Sequence, residues 1–255
     1  MNLFAIGDVV GSIGCRFLRE KLPAFKKYKG IDLVIANGEN SADGNGLTPS
    51  SAHYLFDSGV DVLTGGNHSF RRKESYELYD TCETLLRPAN FPASAPGKGF
   101  TVVDMGRIQV GVLNLMGVVY LESLESPYDC ADRLLKDAPK ITVVDFHAEA
   151  TGEKRSLAYY LDGKVSAIWG THTHVQTADD CLLPKGTGYI SDLGMTGTIE
   201  SVLGVKPELT IEKARTKMPV RFDLLQEGPC KMDGCLFGID EKTGRCLSAE
   251  RIELT

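Results

Sequence analysis

An α/β fold (α+β by some schemes), with two packed mixed β-sheets flanked by helices, is predicted by three features of this 255-residue sequence. Short apolar runs alternate with helical stretches through the first part of the chain, the signature of parallel βαβ units. Further continuous apolar runs follow in the middle. The last part changes to alternating apolar and polar residues, as in antiparallel strands.

Taken in order, Leu3–Ile6, Leu33–Ala36 and Val62–Thr64 read as buried strands, each followed by a glycine-bearing turn. Between them Cys15–Lys27 and Pro49–Ser58 read as helices, the second with Thr48 as N-cap and Pro49 at its first position. Phe100–Val103 and Ile108–Leu115 form a hairpin turning at Gly106. Ile141–Phe146 and Ala167–Trp169 are two more buried strands, separated by a helix over Glu153–Leu161. Val220–Leu224, Cys235–Ile239 and Cys246–Leu254 are expected to be antiparallel strands closing a second sheet, with a turn at 240–244. No linker, repeat or low-complexity tract interrupts the chain, so residues 1–255 are expected to form a single domain.

Hydrophobic residues make up 42% and charged residues 24%, which predicts a sizeable core. A net charge of -6 argues against a duplex-binding protein, which would carry a basic stripe; no duplex nucleic acid is expected as a partner. An acidic chain can still take a small anionic substrate where bound cations invert the local field. The seven cysteines are scattered and odd in number, which fits reduced thiols better than a disulfide framework or a thiolate zinc site. The N-terminus runs directly into an apolar strand, without a signal peptide or a membrane span. A cytoplasmic protein without membrane partners is the resulting expectation.

The polar residues sit where the strands stop. Gly7-Asp8 follows the first, Asn37-Gly38-Glu39-Asn40 the second and Gly65-Gly66-Asn67-His68 the third; His147 ends a later strand, and Thr171-His172-Thr173-His174 follows the last. In open α/β sheets the carboxyl ends of the strands line the ligand crevice. Carboxylate, amide and imidazole donors without cysteine suit manganese, iron or zinc rather than a structural thiolate site. His172 and His174, two apart, would point to one face of an extended segment. Glu39 could bridge two ions with its two oxygens. Each piece alone also fits a turn, a cap or a solvated loop. The joint pattern favours metal, because four of the five histidines lie at these strand ends and only His53, in a helix, does not.

These residues, in this order, resemble the metallophosphoesterase signature. Val10 stands where its first motif has histidine, Glu39 where its second has aspartate, and Ser69 where an acidic residue follows the histidine. Those departures resemble the YmdB branch, bacterial 2′,3′-cyclic nucleotide phosphodiesterases. So do the longer strings Gly7-Asp8-Val9-Val10-Gly11-Ser12, Arg87-Pro88-Ala89-Asn90-Phe91-Pro92, Asp145-Phe146-His147-Ala148-Glu149-Ala150-Thr151, the run from Gly170 to Asp179, and Pro219-Val220-Arg221-Phe222. The resemblance implies a four-layer metallophosphoesterase sandwich and two divalent or mixed-valence metal ions, iron first and manganese as the alternative. It places Asp8, Glu39, Asn40 and His174 on one ion and Glu39, Asn67, His147 and His172 on the other. Asn40 fills the gap that Val10 leaves, and His68 is a general acid rather than a ligand.

The expected substrate is a small phosphodiester, a 2′,3′-cyclic nucleotide, attacked in line by a hydroxide generated between ions about 3.5–4 Å apart. His68 protonates the departing ribose oxygen. A homo-oligomer is expected. The rival readings are a phosphomonoesterase or phosphoprotein phosphatase on the same metals, and a regulatory RNA-associated protein with residual activity. A nucleotide-binding fold ranks below both, because Gly7-Asp8-Val9-Val10-Gly11 matches neither G-x-G-x-x-G nor a Walker pattern.

Overall fold

The computed structural model describes all 255 residues. Its N-terminal half alternates strand and helix: β1 (Asn2–Ile6), the two-residue β2 (Asp8–Val9), α1 (Gly11–Lys29), β3 (Leu33–Asn37), α2 (Pro49–Asp57), β4 (Val62–Thr64) and α3 (Tyr76–Thr81). α1 closes at Gly30, whose left-handed backbone lets its N–H reach the Lys26 carbonyl. α2 opens on the predicted cap, with the Thr48 side chain accepting from the Ser51 N–H.

The middle builds β5 (Phe100–Asp104), β6 (Gln109–Met116), α4 (Pro127–Leu134), β7 (Ile141–His147), α5 (Thr151–Leu161), β8 (Ala167–Thr171), β9 (Cys181–Leu182) and β10 (Gly188–Ile190). The chain then returns through β11 (Met195–Thr198), α6 (Pro207–Thr216), β12 (Cys230–Ile239) and β13 (Cys246–Leu254).

Two mixed sheets result. One runs β2-β11-β12-β1-β3-β4, with β13 added along β12; the other runs β5-β6-β7-β8-β10-β9. Alternation along each strand divides its side chains between two layers. Leu3 and Ala5 of β1 turn inward with Leu33 and Ile35 of β3, against Val110, Val143 and Trp169 of the other sheet. Phe4 and Ile6 turn outward against Leu18, Leu22 and Phe25 of α1. On the far side, Val144, Phe146 and Ile168 pack on Leu157, Ala158 and Leu161 of α5. The order is helix, sheet, sheet, helix, the predicted four-layer arrangement.

Three expectations need correction. The C-terminal strands do not close a separate sheet: β12 inserts beside β1, pairing Leu3 with Phe237 and Ile6 with Gly234, and is buried along most of its length. The second sheet comes from the middle of the chain instead. Val220–Leu224 is not a strand; it lies in the loop between α6 and β12 and makes one isolated bridge, Val205 to Leu224. Of its apolar residues Phe222 stays exposed, so the alternation has no buried face to fill. Finally, His172 and His174 are not extended, because both have left-handed backbones (φ 104° and 64°). No helix is long and apolar enough to cross a membrane.

Candidate metal centre

The parallel strands bring their carboxyl ends to one edge. Asp8 opens β2 just past β1, Glu39 and Asn40 follow β3, and Asn67 and His68 follow β4. His147 ends β7, and His172 and His174 sit in the turn after β8. All eight residues named from the sequence meet there, whereas His53 lies exposed on α2.

Two overlapping groups of donor atoms form. In one, His147 Nε2 lies 2.9 Å from Asn67 Oδ1, 3.1 Å from His172 Nδ1 and 3.2 Å from Glu39 Oε1. In the other, Asn40 Nδ2 lies 3.2 Å from both Asp8 Oδ1 and His174 Nε2, and 3.4 Å from Glu39 Oε1. Glu39 Oε1 belongs to both. The Asn40 amide turns its nitrogen into the cluster while its oxygen accepts from His68 Nδ1 at 2.8 Å. A half-turn about its last torsion exchanges the two ends. Close approach is built into the backbone as well: a Cβ on Gly66 would lie 2.2 Å from the His147 ring, so only glycine lets that ring in.

Each of three histidines has one ring nitrogen occupied outside the cluster. His147 Nδ1 sits 3.0 Å from Thr171 Oγ1, whose hydroxyl donates to Asp145 Oδ1 at 2.8 Å. The Thr171 oxygen is therefore free to accept from His147 Nδ1, its nearer neighbour, the Asn37 amide nitrogen lying farther off at 3.3 Å. His172 Nε2 lies 3.0 Å from Glu149 Oε2, and His174 Nδ1 lies 3.2 Å from the Leu203 carbonyl. These acceptors orient the rings so that His147 Nε2, His172 Nδ1 and His174 Nε2 face inward, where each would offer a lone pair once a bound cation displaces its proton. Asp145, Glu149 and Thr171 fall inside strings that carry the family resemblance but have no role assigned by the sequence, and Leu203 lies outside all of them.

The electrostatics match. Asp8 and Glu39 are buried carboxylates with no lysine or arginine partner; histidines are the only cationic side chains in ion-pair range. Burial alone would raise the pKa of Asp8, but His174 and His147 hold it below the usual carboxylate range. Glu39 is lowered too: burial raises it, and His147 with His68 outweighs that. Burial disfavours a charged His147, yet Glu39, Asp8 and Asp145 push it up to about 9. His172 is pushed down to about 4 by burial and by its His147 neighbour. Burial also raises Asp145, to about 6. Two buried anions facing imidazole and amide groups, with only protonated histidine and no lysine or arginine to balance them, are a donor set that fits divalent metal ions, which would take the place of the imidazole protons.

The His-x-His turn is held from beneath. Asp192 accepts the Thr173 N–H at 3.1 Å and the Gly194 N–H at 2.9 Å, and pairs with Lys154 Nζ at 2.7 Å. Both charges are almost fully buried. Lys154→Met is therefore expected to lower folding stability by about 3–5 kcal/mol, because it strands a buried carboxylate. Urea denaturation reads the loss; a change below about 1 kcal/mol would mean that the two N–H donors satisfy Asp192 unaided.

His68 differs from the other rings. Its backbone N–H donates to Glu39 Oε2 at 2.8 Å, while its side chain stays 29% exposed and lines an open groove of about 700 Å³. Burial lowers its pKa, against the opposing pull of Glu39.

A family model described as YmdB-like protein matches residues 4–252. A protein of Bacillus subtilis (strain 168) named 2′,3′-cyclic-nucleotide 2′-phosphodiesterase is 46% identical over 256 residues, covering 99% of this chain and 96% of that one. The crystal structure of a hypothetical protein from Thermus thermophilus superposes with a TM-score of 0.94 at 39% identity, covering 100% and 99% of the two chains. A crystal structure described as a novel phosphatase from Mycoplasma pneumoniae superposes equally well, TM-score 0.94 at 31% identity, covering 100% and 93%.

Proposed function

We propose, for a chain that belongs to the YmdB-like family, a metal-dependent phosphodiesterase activity that opens 2′,3′-cyclic nucleotides to nucleoside monophosphates. The observation that carries this reading is the set of three imidazoles. Each is tied outside by one nitrogen and turns the other toward two buried carboxylates. The B. subtilis relative, by its name, acts on that substrate class.

In this reading Asp8, Glu39, Asn40 and His174 hold one ion, and Glu39, Asn67, His147 and His172 hold the other. The family resemblance makes iron the first expectation and manganese the second, and nitrogen and oxygen donors accept either. Two such cations supply positive charge for the phosphate oxygens and lower the pKa of water. The protein's own part is to fix the donors rigidly and to manage the proton. Thr171, Glu149 and the Leu203 carbonyl lock the imidazoles, so little reorganisation accompanies the charge that develops at phosphorus. The oxygen of water joins phosphorus and gives up a proton to solvent as the ester bond to one ribose oxygen breaks; His68 delivers a proton to that oxygen and regains one from solvent.

The test combines elemental analysis of the purified protein with initial rates on the four 2′,3′-cyclic nucleotides, bis-nitrophenyl phosphate and nitrophenyl phosphate. Expected are iron or manganese near two equivalents, chelator-sensitive turnover of the cyclic nucleotides, and lower rates on the monoester. Faster monoester hydrolysis would make the chain a phosphomonoesterase. Full activity after the metal is stripped would defeat the metal assignment.

A further inference from the structure

The loop of residues 217–229, between α6 and β12, crosses beside the centre and takes no part in either sheet. One side chain anchors it. Leu224 seats against three glycines: a Cβ on Gly11, Gly44 or Gly204 would fall 2.5–2.6 Å from the Leu224 or Val10 side chains packed there. These glycines belong to the segments that carry the donor residues. Gly11 and Gly44 both bond the Asn40 carbonyl, and Gly204 follows Leu203, whose carbonyl orients His174. Backbone bonds from Lys206 N–H to the Asp223 carbonyl (3.0 Å) and from Leu225 N–H to the Gly204 carbonyl (2.9 Å) fix the register on either side of the anchor.

The anchor places Arg221 and Phe222 on the rim of the groove that His68 opens onto, together with Asn45 and Arg72. Its volume, about 700 Å³, suits a nucleotide-sized ligand. Phe222 is 43% exposed, whereas Leu224 two residues on is seated in the glycine slot. The Lys213 ammonium lies 4.8 Å from its ring centroid and covers one face. Arg72 holds its guanidinium in place through the carbonyls of Asn45 (3.0 Å) and Ala42 (3.4 Å) and has no carboxylate in ion-pair range, so its charge is not cancelled within the chain.

We propose that this loop is the nucleoside-binding wall of the site, with the Phe222 ring stacking the substrate's base and Arg72 drawing its phosphate toward His68. The proposal rests on the phosphodiesterase reading and adds the part of the substrate that the metal centre leaves unrecognised. Stacking on an aromatic face accepts every base, so the wall selects for a nucleoside and not for one base.

The test compares Phe222→Ala and Phe222→Tyr with the unmodified protein on the four 2′,3′-cyclic nucleotides and on 1-O-methylribose 2′,3′-cyclic phosphate, which keeps the cyclic ester but has no aromatic ring to stack. Phe222→Ala is expected to raise KM for all four nucleotides roughly five- to tenfold at little cost in kcat. The loss in kcat/KM on the base-free ester should be several-fold smaller, and Phe222→Tyr should restore nucleotide KM. Equal losses on both substrate types, or no change in nucleotide KM, would overturn the wall while leaving the phosphodiesterase reading intact. Cyclic nucleotides that the unmodified protein does not hydrolyse would remove that reading, and the wall with it.

Discussion

Glu39→Gln is expected to leave the fold intact while the protein loses at least one metal ion and about 10³-fold or more in turnover. Glu39 Oε1 is the atom common to both donor groups, 3.2 Å from His147 Nε2, 3.3 Å from His68 Nδ1 and 3.4 Å from Asn40 Nδ2. Its partner Oε2 takes the His68 N–H. Glutamine keeps the shape but offers one acceptor where two anionic oxygens stood. Whichever way its amide turns, either the cluster or the His68 N–H loses its acceptor. Charge stabilisation by a bound cation is worth several kcal/mol in a transition state, and each 1.36 kcal/mol is tenfold in rate.

A second readout of the same substitution needs no turnover. In chelator-treated protein the His147 imidazolium, held up to about 9 largely by Glu39, should titrate closer to its ordinary value of 6.5 in the variant. The sign is fixed by the direction of that shift. A histidine raised on folding adds stability that is fully present below about pH 6.5 and is lost as the pH rises toward 9. The variant should therefore show a flatter stability profile across that window. Unchanged metal content with full activity would remove the shared role of Glu39.

Much of this architecture is legible in sequence because burial dictates it. Leu3–Ile6, Leu33–Ala36 and Ile141–Phe146 are continuous apolar runs, and only strands covered on both faces tolerate that. The polar residues after them stand out against those runs, and so all eight candidate site residues could be named before any contact was known. What fails is whatever depends on a distant partner. β2 is a strand only because it pairs with β11, and β11 because it also pairs with β12; neither Asp8-Val9 nor Met195–Thr198 carries a strand pattern. Glu149, Thr171 and Leu203 gain their meaning from rings placed by other segments. Val220–Leu224 shows the opposite error. Its alternation is real, but only Leu224 finds a slot, and that slot is made of glycines lying far away in sequence.

His68→Ala is expected to keep both metal ions and to slow cyclic nucleotide hydrolysis roughly 10²–10⁴-fold, the usual contribution of a general acid. Metal retention follows from how His68 is attached. The bond to Glu39 Oε2 comes from the backbone N–H, which alanine preserves; the ring contacts of Nδ1 to Asn40 Oδ1 (2.8 Å) and to Glu39 Oε1 (3.3 Å) are lost. The ring also sits on the groove side of the cluster, partly exposed, whereas His147 is fully enclosed. A ring so placed can give a proton to a leaving group without holding a cation. The discriminating measurement is dependence on the leaving group. A ribose oxygen departs poorly unless protonated, whereas nitrophenolate departs unaided, so the variant should lose less than about tenfold on an activated aryl ester. Across a series of phosphodiesters, log kcat should fall more steeply with leaving-group pKa in the variant than in the unmodified protein. If His68 instead only orients Asn40 or a phosphate oxygen, every substrate in the series loses the same factor and the slope does not move.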